Sequence, residues 1–148
     1  EARTISDHNV SYNSGDSAKK GWYLDLAHGN TYEGEMLIEN MRVLGRHTLL
    51  ISTLVPNDDP CAHGASNWLY ALNPVTGGRT RHHAFDTRIK NPDGTYTLVS
   101  AIKLGSEGGL SLGQDELGIT AFNEQIYPDD RGRLRGNRAG SWRMIQDP

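Results

Sequence analysis

The chain has 148 residues, 36% hydrophobic and 22% charged, with a formal net charge of -3, the length and mixture of one folded domain. No apolar run approaches the ~18 residues of a membrane-spanning helix, so no membrane span is expected. The sequence pI of about 6.1 lacks the basic bias of a nucleic-acid module, which sets nucleic-acid partners aside. Seventeen Gly and six Pro fall singly or in pairs, a pattern of many turns without a low-complexity tract. The single cysteine, Cys61, excludes an internal disulfide framework. The chain starts at Glu1 with no targeting-type apolar segment, so the expectation is a piece of a longer protein or one already freed of its leader.

Residues 1–20 read as a polar approach segment, because Ser, Asn, Asp and Gly dominate and few large apolar groups beyond Ile5, Val10 and Tyr12 interrupt them. Residues 21–145 carry the strand signals. Trp22, Leu24 and Leu26 alternate with Tyr23 and Asp25, as in a strand buried on one face, and Ala27-His28-Gly29-Asn30 supplies a turn. Glu35 to Leu44 is ambiguous: Leu37, Met41 and Leu44 also match a helical stripe. His47 to Val55 is an apolar, β-branched run stopped by Pro56 and is expected to be a buried strand. If Met36 to Val43 is a strand as well, Gly45-Arg46 becomes a hairpin tip.

Ser66 to Leu72 follows as a strand with Trp68, Tyr70 and Leu72 on one face, closed by the Asn73-Pro74-Val75-Thr76-Gly77-Gly78 turn. Asn91-Pro92-Asp93-Gly94 is a second turn, before the alternating Tyr96, Leu98, Ser100, Ile102 and Leu104. Further Gly at 105, 108, 109, 113 and 118 punctuate the chain before Ile119 to Phe122, and Ser141 to Ile145 reads as a closing strand. Short strands with a turn every ten or so residues imply an all-β, mostly antiparallel architecture. Trp22 to Leu26 and Trp68 to Asn73 look like two versions of one device, their tryptophans spaced close to the ~40 to 50 residues of a four-stranded propeller blade.

These residues resemble the C-terminal β-propeller domain of the type IV pilus tip-associated adhesins and biogenesis factors of the PilC/PilY family. The resemblance runs from Lys20 to Leu26, through Ile51 to Asn57 and Asp59-Pro60-Cys61, to Ser66 to Gly78. It resumes at Ala84-Phe85-Asp86-Thr87 and Ser141-Trp142-Arg143. It implies a strand at Met36 to Val43. It also implies a secreted module at the pilus tip or outer membrane of a Gram-negative bacterium. Such a module is non-enzymatic, acts in fimbrium biogenesis and cell adhesion, and has minor pilins and a host or surface receptor as partners. A propeller needs at least four blades and this length supplies about three, so residues 1–148 are expected to be one all-β unit forming an incomplete, C-terminal portion of a propeller. Open sheet edges then invite self-association.

Members of that family can carry a calcium loop, and the nearest counterpart here is Asp86 with Asn91 and Asp93. These offer three oxygens at loose spacing where calcium takes six to eight, so an ordinary hairpin turn is the simpler reading and no cofactor is expected in this segment. Asp58-Asp59 and Asp129-Asp130 adjoin prolines and read as exposed turns. Zinc through His63, His82 and His83 is disfavoured, since adjacent strand residues point to opposite faces. Cys61 lies two residues from His63, but a nucleophile needs a base in space. Gly105-Ser106-Glu107-Gly108-Gly109 lacks the Gly-Lys ending of a phosphate loop. Arg131, Arg133, Arg135, Arg138 and Arg143 could form a basic patch but read as a solvated tail. Two alternative functions stay open: a fragment of a quinoprotein-type propeller enzyme, because Ala71 to Gly77 resembles the tryptophan-docking repeats of that class, and a lectin-like domain stacking sugars on Trp22, Trp68 or Trp142.

Overall fold

The computed structural model describes residues 1–13, 15, 18–45, 47–57, 65–104, 112–115, 118–121 and 124–127. Among these residues the strands are β1 (Ala2–Arg3), β2 (Met36–Leu37), β3 (Arg42–Leu44), β4 (Thr48–Val55), β5 (Ser66–Leu72), β6 (Ile89–Lys90), β7 (Tyr96–Thr97), β8 (Ala101–Leu104), β9 (Leu112–Asp115), β10 (Gly118–Ala121) and β11 (Glu124–Ile126). Every pairing between them is antiparallel, in line with the all-β, antiparallel expectation. The main sheet has the order β1-β8-β5-β4-β2, with β3 also on β4; β9 to β11 form a meander and β6-β7 a hairpin. The described sheets do not close into a ring.

β4 and β5 are the centre of the fold because their sequences are apolar on both faces. Seven cross-strand partners join them, from Leu49↔Leu72 to Val55↔Ser66, and residues 48–53 and 67–72 are buried. Alternation then sorts the side chains into two cores. One face carries Leu50, Leu69, Ala71, Ile102 and Leu104, and is covered by Ala84, Phe85 and Ile126. The isolated bridge Phe85↔Ile126 and the bond from the Tyr127 amide to the Ala84 carbonyl bring β11 onto this face. The other face carries Leu49, Ile51, Trp68, Tyr70, Leu72 and Ala101, with Ile5, Trp22, Leu24 and Leu26 packed over it.

That cover corrects the reading of Gly21 to Leu26 as a strand. The alternation does report burial, since Trp22, Leu24 and Leu26 are half-buried while Tyr23 and Asp25 are exposed. The segment nevertheless joins no ladder. Its apolar side chains lie on the face of β5, so the two tryptophan segments pack against each other instead of forming equivalent strands in neighbouring blades. A period of two specifies which side is buried, and a lid on a sheet satisfies it as well as an edge strand does.

The ambiguous Glu35 to Leu44 stretch is extended, as the resemblance implies, but it is split. Leu37↔Thr53 and Arg42↔Leu50 are both paired on β4, so residues 38–41 face only residues 51–52 and form a bulge. Gly45 turns the β3-β4 hairpin at φ 58, as the hairpin-tip reading requires; Arg46 lies outside the described residues. The Asn73 to Gly78 turn closes through the Asn73 amide to the Gly78 carbonyl at 2.9 Å, with the Asn73 side chain accepting from Val75 N at 2.9 Å. The alternating stretch from Tyr96 to Leu104 is broken at 98–100 into β7 and β8. There the Ser100 amide donates to the Arg3 carbonyl at 2.9 Å while its carbonyl accepts from the Ala71 amide of β5 at 2.9 Å.

Candidate functional site

On the Trp68/Tyr70 face, side chains from four segments converge to form a polar belt across the sheet. Glu35 approaches from just before β2 at one edge, Thr53 comes from β4, Tyr70 from β5, and Arg3 from β1 at the opposite edge. The register dictates this meeting: Arg3 pairs with Ala101, Ala101 with Tyr70 and Thr53 with Trp68. Arg3 Nη1 donates to Glu35 Oε2 at 2.5 Å and to the Tyr70 hydroxyl at 2.6 Å. Tyr70 in turn donates to Glu35 Oε1 at 2.8 Å, and the Thr53 hydroxyl donates to the same oxygen at 2.5 Å. The Glu35 side chain is 2% exposed and that of Arg3 9%. The guanidinium lies 3.8 Å from the Trp68 ring centroid, a stacked cation–π contact. Glu33 adds a looser 3.7 Å approach to Arg3 Nη2.

Two titrations register this packing. Burial works against the Arg3 cation, but its bonds to Glu35 and Tyr70 outweigh that penalty and hold its pKa above the ordinary arginine value. The Tyr70 hydroxyl is pushed up to about 12, first by burial and then by the Glu35 carboxylate, with Arg3 pulling the other way. Tyr70 is therefore a neutral donor over the physiological range. A groove of about 430 Å³ runs beside the belt, lined in part by Glu1, Arg3, His28, Glu33, Trp68 and Lys103.

Trp22 makes a second constellation. Its indole nitrogen donates to the Pro74 carbonyl at 3.0 Å, and its ring lies so close over Gly77 that a Cβ there would fall inside the indole. Gly77 also has φ 67, so the turn needs glycine for both reasons. Trp68 is 5% exposed beneath Arg3. Of the tryptophans named for sugar stacking, Trp68 is covered by Arg3 and Trp22 is half-buried with its ring against Gly77. Trp142 lies outside the described residues.

The other sequence-derived candidates fall into two groups. Asn91 and Asp93 sit in the β6-β7 turn, where Asp93 Oδ1 accepts from the Thr95 amide at 2.9 Å and hydroxyl at 2.6 Å, and Asn91 Oδ1 from Thr97 at 2.9 Å. The Thr95 hydroxyl, then its amide, hold the Asp93 carboxyl below its ordinary value. Asp86 is exposed. His82 is buried, with Nε2 2.8 Å from the Tyr127 carbonyl, so that nitrogen carries a proton toward β11 rather than a lone pair toward an ion. His83 beside it is half-buried. Among the described residues no three His, Cys, Asp or Glu side chains gather to hold a metal. Asp58-Asp59, Cys61, His63, Gly105 to Gly109, Asp129-Asp130 and Arg131 to Arg143 lie outside the described residues.

The Arg3–Glu35–Tyr70 belt was not anticipated from the sequence. Arg3 and Glu35 are 32 residues apart and belong to no shared motif. One signal was available: Tyr70 shares its inward register with Trp68 and Leu72, and a buried tyrosine hydroxyl needs a partner.

Comparison with known proteins adds what geometry does not. No protein-family model and no solved structure matches the chain. The type IV pilus biogenesis factor PilY1 of Pseudomonas aeruginosa strain PAO1 is 38% identical over 162 aligned positions, covering 98% of this chain. PilY1 of strain UCBPP-PA14 is 43% identical over 142 positions and 89% of the chain. Nearly the whole chain is similar to a segment of PilY1. The chain spans only 14% and 12% of the length of those two PilY1 proteins. A PilY1 homolog from Xylella fastidiosa is 28% identical over 86% of the chain. The resemblance drawn from Lys20 to Leu26 and Ser66 to Gly78 thus agrees with similarity to PilY1, and those two stretches meet in space where Trp22 seats on Gly77.

Proposed function

We propose that this chain is a segment of a PilY1-type protein and serves type IV pilus biogenesis as a non-enzymatic, all-β module. The observation that carries the reading is 38% identity to a pilus biogenesis factor over 98% of the chain. The belt is consistent with a scaffolding role: its ionisable groups bond one another across the sheet and so position segments. In this reading the module lies at the cell surface, contacts minor pilins and a surface receptor in adhesion, and forms part of a larger propeller-like domain completed by chain outside these residues. The β2-β3 edge, with Met36, Leu37, Met41 and Val43 exposed, is where such a continuation or a second copy would pack.

The test is an in-frame deletion of the codons for residues 1–148 in the bacterium that encodes them, with surface pili counted by electron microscopy and adherent cells counted on an abiotic surface. Loss of pili with retained pilin expression supports the reading. Unchanged piliation overturns it.

A further inference from the structure

Beyond Ile5, which packs on the sheet, residues 6–12 form no turn or bend, and their side chains sort by the period of two of an extended chain. The even positions hold the segment in place. Ser6 Oγ and His8 Nε2 are 2.9 Å apart, Val10 is half-buried, and the Tyr12 hydroxyl donates to the Val75 carbonyl at 2.5 Å. The odd positions, Asp7, Asn9 and Ser11, are all exposed. Among the described residues the Asn9 carboxamide has no hydrogen-bond partner.

Asn9-Val10-Ser11 is an Asn-x-Ser triplet without proline at its centre, the acceptor signature for an N-linked glycan. Asn9 alone among the asparagines of the chain begins one. A triplet of this kind means little where the fold buries it or ties its amide down, and here the fold does the reverse. Val10 and Tyr12 set the phase of the segment, so the acceptor amide, the Ser11 hydroxyl and the Asp7 carboxylate share the side turned to solvent. Asp7 offers a cationic enzyme site a charge-assisted contact next to the acceptor.

We propose that Asn9 is a modification site that takes an oligosaccharide in one step from a polyprenyl-pyrophosphate donor. Asn9 Nδ2 bonds to the anomeric carbon of the first sugar as the bond from that carbon to the pyrophosphate oxygen breaks. The pyrophosphate leaves with the electron pair, and the amide proton passes to a base of the transferring enzyme. The inference rests on the cell-surface location proposed above, because this transfer acts on exported chains.

The test recovers the full-length protein from the surface fraction of the bacterium that encodes it and weighs the tryptic peptide Thr4 to Lys19. That peptide should carry one added oligosaccharide mass, located on Asn9 by fragmentation. Asn9→Gln and Ser11→Ala should remove the added mass and Ser11→Thr should keep it, while Asp7→Ala should lower occupancy about tenfold. All three positions are exposed, so the thermal midpoint of the unglycosylated chain should not move. A surface-recovered peptide wholly at its unmodified mass overturns the proposal. If the protein is missing from the surface fraction, the surface reading falls by itself and purified components decide. The folded chain is then mixed with a bacterial oligosaccharyltransferase and a polyprenyl-pyrophosphate oligosaccharide. Addition at Asn9 upholds the acceptor assignment, and a folded chain left unmodified overturns it.

Discussion

Replacing Arg3 by Ala removes the cation from a carboxylate that is 2% exposed. Breaking a buried ion pair by removing one partner costs about 3 to 5 kcal/mol. Part of that is relieved by the Tyr70 and Thr53 donors that remain on Glu35, so about 3 kcal/mol is expected from urea unfolding, with Arg3→Lys intermediate. The tyrosine gives a pH signature. Its folded-state value lies near 12 against about 10 in an unfolded chain, so folding disfavours the phenolate. This contribution is complete below about pH 10 and is lost as pH rises from there toward 12. Thermal midpoints measured across that range should fall more steeply in the unsubstituted chain than in Tyr70→Phe, and parallel curves would contradict the assignment. Glycines separate by what stands over them. Gly77→Ala combines a positive φ with collision against Trp22 and should cost about 2 kcal/mol or more while shifting tryptophan emission. Gly94→Ala meets open space and should cost only about 1 kcal/mol from its φ of 86.

Among the elements, β4 and β5 were legible because a continuous apolar run bounded by Pro56 or by Asn73-Pro74 has few other solutions in an antiparallel protein. The turns at Gly45, Gly77 and Gly94 were legible for a local reason, since each needs a left-handed glycine. What sequence could not distinguish was a strand in a ladder from an extended segment laid over one. Trp22, Leu24 and Leu26 show the right face and the wrong partner, because hydrogen-bond partners are set by tertiary register and leave no periodic trace. β1 escaped notice for a related reason: two residues carry no periodicity, and Arg3 reads as polar until Glu35 and Trp68 are brought to it. Burial ranks the elements energetically. Leu50→Ala and Leu69→Ala, at 1% and 0% exposure, should each cost about 2 to 5 kcal/mol. Val43→Thr, at 60% exposure, should stay within about 0.5 kcal/mol. Comparable losses at Leu50 and Val43 would contradict the placement of β3 at the edge.

At the scale of the whole molecule, two cores on one sheet explain how a short chain supports long-range order: β4 and β5 are shared by both. The polar belt then joins the two sheet edges over one core, while Phe85 and Ile126 join the meander to the other. The β2-β3 edge leaves Met36, Leu37, Met41 and Val43 exposed. A segment of a PilY1-type protein should be interchangeable with the segment it resembles. The most direct measurement replaces that segment of Pseudomonas aeruginosa PilY1 with residues 1–148 and counts surface pili in a strain lacking its own PilY1. Restored pili are expected, with restoration reduced when the chimaera carries Arg3→Ala. A chimaera that accumulates at the level of native PilY1 yet leaves the cells without pili would contradict it.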